Sequence, residues 1–164
     1  MTATPQLGRY EIDTDSSTIA FTTRHFFGLL AAHGEFAIRT GTIDIAEPLT
    51  DSSLSVEIET ASLRTGNTRR DRAVRSARFL DADRYPLIAF ASEQVDRRAV
   101  HGTLTVCGVA RPASLLIEES AVAAGMFTIH ASTSVDRTEF GVTASPRLVG
   151  RRLDISLHLT CVHL

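Results

Sequence analysis

Six histidines are the first candidates for chemistry, because imidazole can transfer protons and bind metal ions near neutral pH. One of them, His25, ends a segment of alternating apolar residues, and strand periodicity places it on one inward face with Phe21 and Thr23. There it could hydrogen-bond a ligand head group or act as an acid or base. The alternative is a core histidine satisfied by its neighbours. The other five lack metal-ligand spacing, so we predict no bound metal: His33, His101, His130, His158 and His163.

Arginines crowd one short segment in which Asp71 is the single acid. They are Arg69, Arg70, Arg72, Arg75 and Arg78. Guanidinium groups match the oxygens of phosphate and carboxylate, so this segment could bind an anion. The alternative is a solvated helix face with local ion pairs. Nucleic acid is the weakest interpretation, because the formal net charge is -2 and no aromatic platform accompanies the arginines.

The segment RTEFG offers a third candidate, the pair Arg137 and Glu139. A structural corner explains it better, with Asp136 and Arg137 satisfying the backbone or each other while Phe140 fills the interior. The sequence shows no Ser-His-Asp set, nucleophile elbow, phosphate loop or paired carboxylates. We therefore predict a protein without catalytic residues or a cofactor.

The elements that must position these residues are mostly β-strands with one solvent-exposed face. In RRLDISLHLTCVHL, apolar residues alternate with polar ones, and SSLSVEIET and MFTIHASTSV repeat the pattern. Further strands are expected at 9–14, 17–25, 34–46 with a turn near Gly41, 86–96, 99–106 and 113–119. About eight antiparallel strands fit a closed barrel or a two-sheet sandwich, and small inward side chains such as Ala131 and Thr133 favour a barrel with room for a ligand.

One segment breaks the strand rhythm and predicts a short helix near residues 68–78. TGNTRRDRAVRSARFLD is rich in Ala and Arg, and Asn67 or Thr68 could cap it. FLDADRYPLIAF follows, in which Phe79 and Leu80 are suited to pack onto the barrel mouth before the chain returns to the wall. We interpret this stretch as the hinge of a lid.

Length and composition indicate one soluble globular domain over residues 1–164, with residues 1–8 expected to be flexible. The first residues lack a basic stretch followed by an apolar one, so we expect a cytoplasmic protein without an integral membrane segment. Cys107 and Cys161 have no metal or redox spacing and are expected to be reduced.

From Tyr10 onward the chain resembles the YceI-like family. The matching pieces are YEIDTDSSTIAF, TRHFFGLLAAHGEF, TGNTRRD, RSARFLDADRYPLIAF, GTLTVCGVARPASL and VDRTEFGV. The resemblance implies an elongated, lipocalin-like antiparallel barrel that binds a polyisoprenoid and can pair as a homodimer. The chain departs from the family at Ser16-Ser17, where His-Ser is usual, at Ala73, where a His is usual, and at Cys107, where a His or Arg is commoner.

These observations predict a bacterial carrier that holds an isoprenoid or another long-chain lipid in an apolar tunnel. Two alternatives stay open, an enzyme acting on a lipid in the same cavity and a structural or stress-related interaction module with a filled core. The predicted ligand-binding residues are Phe21, His25, Phe26, Phe27, Leu30, Phe36, Ile38, Val56, Ile58, Phe79, Ile88, Phe90, Phe127, Ile129, Leu157 and Leu159. Because a prenyl phosphate needs a positive mouth, the resemblance makes Arg69, Arg70 and Arg72 candidates for the head group.

Overall fold

The computed structural model describes residues 5–25, 30–146 and 149–164, without the side chains of Arg24, His25 and Leu30. Its strands are β1 (Gly8–Ile12), β2 (Thr18–His25), β3 (Leu30–Phe36), β4 (Ile38–Ile45), β5 (Ser53–Glu59), β6 (Leu87–Val95), β7 (Ala99–Val106), β8 (Val109–Ala123), β9 (Met126–Asp136) and β10 (Val149–His163). One α-helix, α1 (Thr68–Arg75), lies between β5 and β6, and short 3-10 helices span Leu49–Asp51, Thr60–Ser62 and Arg137–Phe140.

The strands close into an antiparallel barrel with eight positions around its circumference. β1 and β2 both lie beside β10, β1 along residues 161–163 and β2 along residues 149–158. β4 pairs with β1, and β3 pairs with β2. β3 and β4 therefore share the next position around the barrel. From β4 the order runs through β5 to β10 and returns to β1. The predicted all-β, lipocalin-like barrel with one short helix is confirmed.

A turn separates β1 from β2, and side chains take over the hydrogen bonds that a continuous strand would make. The Asp13 carboxylate accepts from the Asp15 amide at 3.1 Å and from the Ser16 hydroxyl at 3.0 Å. The buried Ser17 hydroxyl accepts the Thr160 amide of β10 at 2.9 Å. The polar groups of β10 therefore stay satisfied across the interruption, as buried backbone groups must.

The chain does not turn near Gly41, as the sequence had suggested, but continues through it as β4 with an irregularity between Ile38 and Thr40. Gly41 serves packing instead. A Cβ atom there would lie 2.3 Å from Cδ1 of Ile12, so the absent side chain makes room for Ile12 in the barrel interior. The glycine was therefore a signal of close approach rather than of a turn.

The half of the barrel opposite α1 is packed with side chains. Cys161, Phe127 and Tyr10 are 0%, 1% and 2% exposed, and the rings of Tyr10 and Phe127 meet edge to face with centroids 4.7 Å apart. Each side chain of this kind contributes about 1.5–3 kcal/mol to stability when fully buried. This packed half stabilises the fold. The candidate functional site lies in the other half, beneath α1.

Helix α1 begins where the sequence predicted but ends at Arg75, earlier than the predicted residue 78, and Asn67, one of the two candidates, is its N-cap. The Asn67 side chain accepts the Arg70 amide at 3.0 Å, and the Ser76 amide donates to the Ala73 carbonyl at the other end. Within the described ranges, no helix is long and apolar enough to cross a membrane.

Candidate functional site

A cavity of about 510 Å³ occupies the half of the barrel beneath α1. Its walls are the inward side chains of the strands, which alternate with outward polar ones as period-2 patterning requires. A volume of this size is within the range of small-molecule sites. Eight of the predicted ligand-binding residues line it: Phe21, Phe36, Val56, Ile58, Phe79, Ile88, Phe90 and Leu157.

The other predicted ligand-binding residues fall into two groups. Ile38, which pairs in register with Ile58, and Leu159 are buried but line neither cavity, and Phe127 and Ile129 line a second cavity of only about 90 Å³ in the packed half. His25 and Leu30 belong to β2 and β3, but their side chains lie outside the described part of the chain, as do residues 26 and 27 entirely. The proposed roles of His25, Phe26, Phe27 and Leu30 therefore stay predictions.

Helix α1 and the turn after it form a lid over the cavity. Ala73, Val74, Phe79 and Leu80 all line the cavity from above. The turn is fixed to the barrel, because the Cys107 thiol donates to the Leu80 carbonyl at 3.2 Å. Partial burial raises the pKa of this thiol, which keeps it protonated and able to donate. The apolar pair of FLDADRY thus packs onto the mouth as predicted.

Among the three arginines proposed for a head group, Arg70 lines the cavity, whereas Arg69 and Arg72 are exposed. Its Nε donates to Thr65 Oγ1 at 2.8 Å and its Nη2 to the Thr65 carbonyl at 2.9 Å. The buried Asp71 carboxylate accepts from the amide and the hydroxyl of Thr65. Arg70 is therefore held at the cavity by a network that anchors its own loop.

Arg137 is the second cationic residue at the cavity, and the residue as a whole is only 7% exposed. It donates to the carbonyls of Val142, Val149 and Gly150 at 2.9, 3.0 and 2.9 Å. Burial lowers the pKa of the guanidinium, although it stays charged. Because three carbonyls engage its donors, Arg137 holds the chain around the corner.

The same corner contains Asp136, which caps the 3-10 helix by accepting from the Thr138 amide at 2.9 Å and hydroxyl at 2.6 Å. The Thr138 hydroxyl, Arg151 and the Thr138 amide, in that order, lower the pKa of the Asp136 carboxyl to about 2. Phe140 is buried and lines the cavity. The structural-corner interpretation of RTEFG is confirmed.

Several of the remaining histidines bond to hydroxyl groups. The rings of His130 and His158 stack with centroids 4.1 Å apart, and His130 shares a hydrogen bond of 3.1 Å with Ser156. His101 is 2.7 Å from the Ser114 hydroxyl. Over residues 5–25, 30–146 and 149–164, no group of three or more His, Cys, Asp or Glu side chains is arranged to hold a metal ion.

Sequence reasoning missed that Arg70 would differ from Arg69 and Arg72. The signal was present, because Arg70, Ala73 and Val74 have the i, i+3, i+4 spacing of one helix face, and two of them are apolar. The missed wall residues obey the same strand alternation as those predicted. They include Leu104, Val106, Leu115, Val135, Leu153 and Ile155.

A family model described as the YceI-like domain matches residues 10–161. A UPF0312 protein of Vibrio parahaemolyticus is 33% identical over 128 residues, which are 73% of this chain and 66% of that protein. Protein YceI of Escherichia coli O6:H1 is 34% identical over 114 residues, 65% of this chain and 59% of that protein. The matched region thus spans about three fifths to two thirds of these curated relatives.

Two solved structures share the fold at low sequence identity. BcnA of Burkholderia cenocepacia superimposes with a TM-score of 0.79 at 19% identity, covering 91% of this chain and 98% of that one. A polyisoprenoid-binding domain of Saccharophagus degradans, implicated in plant cell wall breakdown, gives 0.75 at 14% identity, covering 97% and 100%. Distant sequences therefore adopt this fold.

Proposed function

Because this chain belongs to the YceI-like domain family, and because its barrel encloses an apolar cavity, we propose that it binds a long apolar ligand without transforming it. The ligand is an isoprenoid or an acyl chain, held by the barrel wall and covered by the lid. The single observation that carries the proposal is the 510 Å³ cavity with its aliphatic and aromatic walls.

The energetics favour a chain-like ligand. Each methylene transferred from water into such a cavity contributes about 0.8 kcal/mol, so about a dozen methylenes can outweigh the entropic cost of association. A ligand bound in this way is recognised by its length and width rather than by many polar contacts. Carriage or sequestration of a lipid fits this mode of binding.

The polar groups at the cavity suit a ligand with an anionic end. Arg70 reaches the cavity from the lid, and its bonds to Thr65 engage Nε and Nη2. A carboxylate or phosphate beside this guanidinium would gain charge-assisted hydrogen bonds while the chain fills the barrel. The shared fold of the polyisoprenoid-binding domain from Saccharophagus degradans supports an isoprenoid chain as the apolar part of the ligand.

The wall chemistry argues against catalysis. Among the described cavity-lining residues, only Arg70 and Arg137 carry ionisable side chains, and neither gives up its proton near neutral pH. General acid–base chemistry needs a group whose pKa lies near the working pH. A binding role therefore agrees better with these walls than an enzymatic one.

The test is native mass spectrometry of the protein purified from its own cells, followed by solvent extraction and identification of the released lipid. We expect up to one isoprenoid or acyl chain per barrel. Phe90→Trp adds about three heavy atoms to the cavity wall and should reduce the amount of lipid bound, whereas Val122→Trp, on the exposed face of β8, should leave it unchanged. Protein that is always empty and takes up neither added prenyl nor acyl lipids would contradict the proposal.

A further inference from the structure

The inward residues of β9 show that the interior changes along the barrel axis. Phe127 and Ile129 line the small cavity, Ala131 is buried between the two cavities, and Thr133 and Val135 line the large cavity. Every second residue of a strand points inward, so the position of an inward residue along β9 gives its height along the barrel axis. The two cavities share no lining residue among those described.

The inward residues of β10 follow the same order along the barrel axis. They identify the residue layer that closes the bottom of the large cavity, which we call the floor. Leu153, Ile155 and Leu157 line the large cavity, whereas the next inward residue, Leu159, lines neither cavity and is 3% exposed. Leu159 pairs in register with Ile129 of the small cavity. The Leu159 side chain therefore lies in the layer that separates the two spaces.

The inward residues of β5 show where the floor lies on another side of the barrel. Val56 is its deepest residue in the large cavity, and the next inward residue toward the other end, Leu54, lines the small one. Val56 pairs with Gly41 and Phe90, and it is 3% exposed. A larger side chain at position 56 would therefore extend into the bottom of the large cavity.

We infer that the large cavity is a blind pocket that limits the length of the ligand chain, an inference that rests on the proposed function. At about 30 Å³ per heavy atom, the share of a molecule in liquid water, 510 Å³ holds about 17 heavy atoms. The structure thus assigns to this site a single-chain amphiphile of about 15–18 carbons with an anionic end near Arg70. Longer chains must leave their excess carbons at the mouth, in contact with water.

The consequence is an affinity that rises with length and then stops rising. Each methylene that enters the pocket tightens binding about fourfold, and a methylene that stays outside adds little. Delipidated protein is mixed with saturated fatty acids of 10 to 22 carbons at equal free concentrations, and the bound fraction of each acid is measured by native mass spectrometry. We expect a plateau or maximum near 16–18 carbons.

Two variants move the floor in opposite directions. Val56→Phe adds about four heavy atoms to the bottom of the pocket and should shorten the limit by about four carbons. Leu159→Ala removes about three carbons and opens a way to the 90 Å³ cavity, so it should lengthen the limit by about six carbons. Val122→Phe and Leu116→Ala make the same changes on the exposed face of β8 and should leave the limit in place.

The outcomes separate this inference from the proposed function. If no acid binds and prenyl lipids also fail, the proposed function is wrong. If acids bind but affinity keeps rising beyond 20 carbons, or the limit does not move in Val56→Phe, the blind pocket is wrong while the binding function stands. Leu159→Ala loses a buried side chain, so Val56→Phe, which adds atoms to empty space, decides the question if Leu159→Ala fails to fold.

Discussion

The guanidinium of Arg137 lies over the ring of Phe79, with Cζ 5.9 Å from the ring centroid. This contact joins the corner after β9 to the lid turn after α1, two segments far apart in sequence. A cation beside an aromatic face is attracted by the ring quadrupole, and burial strengthens the attraction. Arg137 therefore connects the lid to the barrel while its donors hold the corner.

Replacing Arg137 by Met should lower the free energy of unfolding by about 2–5 kcal/mol, because three carbonyls lose a charged donor in a buried site. Arg137→Lys should recover only part of this loss, since an ammonium group lacks the planar fork. Urea denaturation followed by far-UV circular dichroism measures both changes. Arg98→Met, at an exposed position, is the control and should change stability little.

If Arg137→Met unfolded at the same urea concentration as wild type, the corner would not depend on this side chain. A second measurement tests the link to the lid. Hydrogen exchange of the backbone amides of residues 79–82 should be faster in Arg137→Met than in Arg98→Met, under conditions where both variants are folded. Equal exchange would show that the contact with Phe79 does not hold the lid.

Arg70 should determine preference for an anionic end group. Arg70→Met should weaken binding of a 16-carbon fatty acid about tenfold, the effect of losing one or two charge-assisted hydrogen bonds. Binding of the 16-carbon alcohol, which carries no charge, should change much less. Arg69→Met changes an exposed arginine one residue away and should affect neither ligand. Titration calorimetry on the four combinations gives the result, and an equal loss for acid and alcohol would exclude a role in charge recognition.

Alternation alone was enough to predict which face of most strands points inward, whereas the choice of a barrel over a sandwich also used the small inward side chains and the resemblance to the YceI-like family. Phe21, Phe90 and Leu157 line the cavity, and Phe127 and Leu159 also point inward. Depth along the axis could not be predicted in this way, because a period of two distinguishes two faces and carries no information about height in the barrel. Height depends on strand register, which long-range pairing sets. Consequently the sequence predicted a continuous tunnel, whereas the described part of the barrel interior has a large cavity beneath α1 and a packed half.

The arginine segment shows the same limit. Composition indicated a helix, and Asn67 indicated its start, so α1 was predictable from local rules. Which arginine faces the ligand depends on how α1 docks on the barrel, and docking is a tertiary property. Once an apolar surface beneath the helix is known, the i, i+3, i+4 spacing of Arg70 with Ala73 and Val74 indicates that Arg70 is the arginine on the face toward the cavity.

Two glycines offer a matched pair that separates ligand binding from stability. A Cβ at Gly34 would lie 2.4 Å from Cζ of Phe21, which lines the cavity, whereas a Cβ at Gly41 would collide with Ile12 in the packed half. Gly34→Ala should push the Phe21 ring and reduce lipid uptake. Gly41→Ala should leave uptake intact in the molecules that stay folded. Each substitution should cost about 1–3 kcal/mol of stability by overpacking.

Lipid uptake per folded molecule, from native mass spectrometry, and urea denaturation of the empty proteins measure the two effects independently. Equal uptake by Gly34→Ala and Gly41→Ala would mean that the Phe21 ring does not shape the binding space. A normal stability for Gly41→Ala would mean that Ile12 can repack without cost.

Cys161 should make the protein sensitive to alkali. Burial raises the pKa of its thiol from 9.0 to about 12. The unfolded chain therefore loses this proton at a lower pH than the folded chain does, so the stabilisation is complete below pH 9 and is lost as the pH rises toward 12. Cys161→Ala should flatten the decline of the urea midpoint between pH 8.5 and 11, even if it lowers the midpoint at neutral pH. Cys107→Ala, at a half-buried thiol, should flatten it less. Parallel declines in wild type and Cys161→Ala would show that this thiol does not contribute to the alkaline transition.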